Sequence, residues 1–174
     1  MDYYELYLND IINTVPLYIY VYIFSFVCVS IVAVIIKCGK NRWKYVGCIL
    51  LIAYIILVFC STVFFRETAD ARKYNLLPFW SYRIILETNS KALMAENLMN
   101  IIFFLPIGLI SGMFFPNIRW WRVLQSGMFI AITIETLQFL FNRGFAEIDD
   151  VIHNTVGCLI GWFMVKGSRF MVDG

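Results

Sequence analysis

The sequence has a single histidine, no CxxC pair, and no polar segment long enough to carry its five cysteines in an outer loop. Cys28, Cys38, Cys48, Cys60 and Cys158 all fall in or beside apolar stretches. They are therefore expected to pack as small apolar side chains, with no disulfide framework and no cysteine metal site. Charge is scarce too: 14 Lys and Arg face 12 Asp and Glu, and a net charge of +2 gives no footing for a nucleic-acid partner. The first apolar run has no basic stretch before it and no small-residue cleavage site at its end, Ile35-Ile36-Lys37, so it reads as a retained span rather than a signal peptide. No cofactor is expected.

What is present is apolar surface. Of the 174 residues, 61% are hydrophobic and 18% aromatic, and the mean hydropathy is +0.75, too apolar for one small soluble domain. The pattern predicts an all-α, polytopic helical membrane protein of one domain covering 1–174. Residues 15–36 and 45–65 carry no charge and match the ~20 residues a spanning helix needs. A third span is predicted at 97–115, with Asn97, Asn100 and a Pro106 that should free the carbonyl near Ile102. A fourth is predicted at 122–141, and a shorter fifth at 151–165. The segment 74–86 is too apolar to float in water and too short to span, so it should lie in the interface or re-enter, with Trp80 and Tyr82 at headgroup depth. Ser90 or Asn89 can cap a helix running into the third span.

Basic residues orient the spans. Lys37, Lys40, Arg42 and Lys44 crowd the first loop, Arg119 and Arg122 lie in the third, and Lys166 and Arg169 in the tail. The positive-inside rule places these segments in the cytoplasm, the N-terminus outside and the C-terminus inside. The loop from Arg66 to Glu96 is also basic, but less densely and with four acidic residues.

That orientation collects Arg66, Arg72, Asn75, Asn97, Asn100, Glu135, Gln138, Arg143, Asp149, Asp150, His153 and Asn154 at the outer ends of the spans. Glu135 lies about seven residues inside Asn142, or ~10 Å at helical rise. Glu135 and Gln138 share a helix face, as do Asn97 and Asn100. A charge inside a span costs on the order of 3 kcal/mol, so Glu135 should face the bundle and find a partner, with Arg66, Arg72 and Arg143 available. The plainer reading is a buried ion pair joining helices; the further polar groups on the same side favour a site. Asp149, Asp150, His153 and Asn154 have spacings that a metal could use, but acidic caps opening a helix explain them better, and no metal is expected. Gly108-xxx-Gly112 and Gly157-xxx-Gly161 mark close helix packing, between spans or in a homo-oligomer.

Four blocks in this order resemble the VanZ-like family of bacterial membrane proteins: Arg72 to Phe79 (RKYNLLPF), Asn97 to Gly108 (NLMNIIFFLPIG), Glu135 to Gln138 (ETLQ), and Arg143-Gly144 with Glu147 to Gly157 (EIDDVIHNTVG). The resemblance implies a role in the cell envelope and an association with resistance to teicoplanin, a lipid-bearing glycopeptide. Three function classes follow. In the first, the chain binds an amphiphile: a membrane lipid, a lipid-linked wall precursor or a lipoglycopeptide. Arg66, Arg72 and Arg143 would then meet phosphate or carboxylate, with Asn75, Asn97, Asn100, Gln138 and Asn154 as neutral partners and Glu135 and Asp150 beside them. In the second, Glu135, Asp149 or Asp150 is the general base of an enzyme acting on a lipid-linked intermediate, although no serine or cysteine nucleophile sits in an activating context. Transport ranks last, because the inner halves of the spans offer few polar groups.

Overall fold

The computed structural model describes residues 41–172 continuously, with side chains through 167, together with isolated positions between 20 and 39. The predicted span 15–36 falls mostly outside the described residues. From Arg42 the elements are α1 (Arg42–Phe59) continued by a π-turn (Cys60–Phe64), β1 (Lys73–Asn75), α2 (Trp80–Thr88), α3 (Lys91–Phe114), α4 (Trp120–Phe141), β2 (Phe145–Glu147) and α5 (Ile148–Val172). The chain is a helical membrane protein. Three of its described helices, Arg42–Phe64, Lys91–Phe114 and Trp120–Phe141, are long and apolar enough to cross a bilayer. Of the five spans predicted, the first lies mostly outside the described residues, and the second, third and fourth are matched by these three helices. α5 has 25 residues, but its first turns hold Asp149, Asp150, His153 and Asn154, so length alone does not qualify it.

α3 and α5 form the closest pair. A Cβ at Gly108 would collide with the Cys158 carbonyl, one at Gly157 with the Ile101 carbonyl, and one at Gly161 with the Leu105 carbonyl. Gly112 lies against Val165. Both glycine motifs are thus used between two helices of one chain, where the missing side chains let the backbones touch. α4 closes on α5 at Gly127, where an added Cβ would stand 2.8 Å from Cys158 Sγ. The core between the helices is Val58, Val63, Phe104, Ile107, Val123, Ala131, Ile134, Val151 and Cys158. α3 runs unbroken through Pro106. One residue beyond Ile102, the Tyr54 hydroxyl donates to the Phe103 carbonyl at 2.7 Å.

The helix caps explain the outer loops. The Ser90 side chain accepts from the Leu93 amide and starts α3, whereas Asn89, at φ 54°, ends α2. Two loops far apart in sequence meet as a parallel two-stranded ribbon, Lys73 opposite Phe145 and Asn75 opposite Glu147. Three-residue strands carry no readable periodicity, and the helical prediction did not contain them. Segment 74–86 is ordered: it holds two of the three residues of β1, a turn and most of α2. Its Trp80 and Tyr82 point polar atoms at Glu147 and His153, at 2.8 Å each. Leu76, Leu77 and Leu86 remain exposed at 67%, 70% and 86%.

Candidate functional site

The polar groups anticipated at one end do gather there, in three adjoining assemblies. The first is a clasp that holds α2. Asp149, 1% exposed, accepts from the amides of Phe79 and Ser81 and from the Ser81 hydroxyl at 2.7 Å. Asn97 Nδ2 donates to the same Ser81 hydroxyl at 3.0 Å. Asp149 therefore caps the start of a different helix from the one it opens, and Phe79 is held at φ 62°, uncommon for a bulky residue.

The second assembly closes the end of α1. The π-turn leaves carbonyls without helical donors. Gln138 Nε2 donates to the Thr62 carbonyl at 3.1 Å, and Arg143 Nη1 donates to the carbonyls of Val63 and Phe64. Arg72 lies on the rim, donating to Asn142 Oδ1 at 3.3 Å with its guanidinium 5.5 Å from the Phe139 ring. Asn75 turns back on its own loop and accepts from the Leu77 amide.

The third is a cavity of about 100 Å³ whose polar lining is Ser61, Thr62, Arg66, Glu96, Asn100, Glu135, Gln138, Asp150 and Asn154. α4 presents Glu135 and Gln138 to it from one face, as their three-residue spacing requires. Glu135 Oε2 accepts from the Glu147 amide at 2.8 Å, so a backbone N–H from the ribbon, rather than a guanidinium in contact, holds this carboxylate. Asn100 Nδ2 donates to Asp150 Oδ1 at 2.7 Å, joining α3 to α5 across the floor. Arg66 is exposed, at the mouth. Its guanidinium occupies the space a side chain at 144 would need: a Cβ there would be 2.8 Å from Arg66 Cζ, and Gly144 sits at φ 104°. Beside the cavity, burial raises the Glu147 carboxyl to about 7, against the lowering effect of the Trp80 Nε1–H donated to it.

Of the ten residues assigned to ligand binding from sequence, the cavity contains Arg66, Asn100, Glu135, Gln138, Asp150 and Asn154. Arg72, Asn75, Asn97 and Arg143 have the other contacts just described. Glu96, Ser61 and Thr62 also line the cavity and had no assigned role. Glu96 was signalled by its place four residues before Asn100 on one helix face; Ser61 and Thr62 were hidden in an apolar run. Among the described residues no group of three or more His, Cys, Asp or Glu is arranged to hold a metal ion.

A second depression, of about 500 Å³ and mostly apolar, adjoins the first. Tyr74, Leu76, Ile132, Thr136, Phe139, Ala146, Ile148 and Val151 line it, together with Glu147 and Glu135. Glu135 thus belongs to the walls of both.

No solved structure matches the chain. Over 93 residues it is 30% identical to Protein VanZ of Enterococcus faecium, an alignment covering 51% of this chain and 58% of that protein. The chain therefore matches little more than half the length of that relative. The sequence profile of the VanZ/LLP1 family matches residues 45–171, which takes in all but the first three residues of α1 and the last of α5 and all three polar assemblies, and the chain belongs to that family.

Proposed function

We propose that this protein is an envelope membrane protein that binds an amphiphile, with the polar part of the ligand in the cavity and an apolar part in the adjoining depression. The observation that carries this reading is the shared Glu135 wall: a polar pocket of about 100 Å³ and an apolar one of about 500 Å³ meet at one buried carboxylate. Small-molecule sites commonly combine an apolar lining with a few placed polar groups. The exposed Leu76, Leu77 and Leu86 give the flanking ribbon and α2 an apolar face suited to the bilayer interface. The candidate ligand classes are a membrane lipid, and a lipid-linked wall precursor or lipoglycopeptide of which only a small polar group enters the cavity. Through the last two the protein would contribute to teicoplanin-type glycopeptide resistance.

The site faces outward in this reading. Lys44, Phe115–Ile118 and Arg122 gather at the opposite end of the bundle, where Lys166 donates to the Pro116 carbonyl, and the positive-inside rule assigns that end to the cytoplasm. A second reading, catalysis on a lipid-linked intermediate with Glu135 or Asp150 as general base, draws on both carboxyls lining one cavity. Native mass spectrometry of lipids that co-purify with the protein, before and after incubation, tests both. Bound lipid recovered unchanged supports binding, a converted product supports catalysis, and absence of any retained amphiphile overturns the two together.

A further inference from the structure

The cavity's charge runs opposite to an anion site. Its lining holds three carboxylates, Glu96, Glu135 and Asp150, and one guanidinium, Arg66. Arg66 is exposed at the mouth, whereas Glu135 is only 8% exposed. Arg72 and Arg143, two further cations of this end, are turned to Asn142 and to the carbonyls of Val63 and Phe64, and Arg83 pairs with Glu87.

The neutral groups show the same asymmetry, and they do so independently of the charges. Gln138 and Asn154 are 3% and 5% exposed, and both line the cavity. Gln138 Oε1 and Asn154 Oδ1 are buried acceptors with no hydrogen-bond partner, while the Gln138 amide nitrogen is already committed to the Thr62 carbonyl. The Ser61 and Thr62 hydroxyls spend their protons on the Val58 carbonyl. Leaving a buried acceptor unpaired costs as much as losing a hydrogen bond, so a ligand that donates here recovers that energy.

We infer that the cavity takes a primary ammonium group, with the carboxyl cluster of Glu96, Glu135 and Asp150 supplying one countercharge and Gln138 Oε1 and Asn154 Oδ1 accepting its N–H groups. This rests on the amphiphile reading and names the chemistry of the ligand's polar end. A primary ammonium brings positive charge and three donors; a quaternary ammonium brings charge without donors, and a phosphate brings only acceptors. A cavity of about 100 Å³ admits an aminoalkyl terminus and little more. An aminoalkyl phosphate headgroup would place its amine inside and its phosphate at the mouth, within reach of Arg66.

The full chain, purified in detergent, is titrated with phosphatidylethanolamine, phosphatidylcholine and phosphatidylglycerol of identical acyl chains, and retention is read by native mass spectrometry. The expected result is a preference of about tenfold or more for phosphatidylethanolamine over both others, the scale of one charge-assisted buried hydrogen-bond set. Equal retention of phosphatidylcholine overturns the role of the N–H donors. Equal or stronger retention of phosphatidylglycerol overturns ammonium recognition while leaving amphiphile binding standing, and retention of none overturns both. Glu96→Gln serves as the variant, since Glu96 lines the cavity near Arg66 and, among the described hydrogen bonds, holds no other helix. It should narrow the preference several-fold at unchanged melting temperature; an unchanged preference places recognition elsewhere and overturns the inference.

Discussion

The Glu147 backbone N–H donates to Glu135 Oε2 at 2.8 Å, tying the parallel ribbon to the buried face of α4. One carboxylate therefore serves two purposes: it ends a strand's unpaired amide, and it forms the wall between the polar cavity and the apolar depression.

These purposes separate on substitution. Glu135→Gln keeps an oxygen that can accept from the Glu147 amide, so the variant should accumulate and melt close to the wild type. It removes the charge, and amphiphile retention and glycopeptide resistance should fall. Glu135→Ala leaves the amide unpaired as well and should cost a further ~1–3 kcal/mol of stability. Full resistance in a well-accumulated Glu135→Gln strain would remove the site's main support.

Gly144→Ala should destabilise the mouth of the cavity. Its φ of 104° is one that side chains rarely adopt, at a cost of ~1–3 kcal/mol, and the added Cβ meets the Arg66 guanidinium. Thermal unfolding in detergent measures the loss. The same substitution at Gly167, which has nothing within 4 Å, should do little.

Asp149→Ala removes the acceptor of the Phe79 and Ser81 amides and of the Ser81 hydroxyl. We expect α2 to undock while α3 and α5 stay paired. Hydrogen exchange should therefore rise over residues 79–88 and remain slow at 101–108. Unchanged protection of α2 would show that its apolar contacts suffice.

Stability should depend on pH through Glu147. Its carboxyl is raised from 4.5 to about 7 in the folded chain, so the folded state holds a proton that the unfolded state has already lost. That contribution is fully present below about 4.5 and is lost as pH rises to about 7. The melting temperature of the wild type should fall across this window more than that of Glu147→Gln. Parallel profiles for the two proteins would count against the shift.

The membrane class, three long apolar helices, a cap at Ser90 or Asn89 and the end of the bundle where polar groups collect were all legible in the chain itself. Hydropathy and capping are local properties, written within one or two turns of each residue. Which polar groups share a cavity was not local. Asp149 and Asp150 are neighbours, yet successive residues of a helix point about 100° apart, and one clasps α2 while the other faces Asn100. Asn97 and Asn100 share a face, yet Asn97 meets the returning α2 and Asn100 meets α5. Three arginines were equal candidates as partners of Glu135. Only the tertiary structure set Arg66 at the cavity mouth, gave Arg143 to the carbonyls that a π-turn leaves open, and brought a backbone amide to Glu135 through a ribbon pairing residues 72 positions apart. The reason is physical: in a low-dielectric bundle each polar group takes whichever partner the chain's distant loops deliver to it, and no spacing within a single helix records where those loops return.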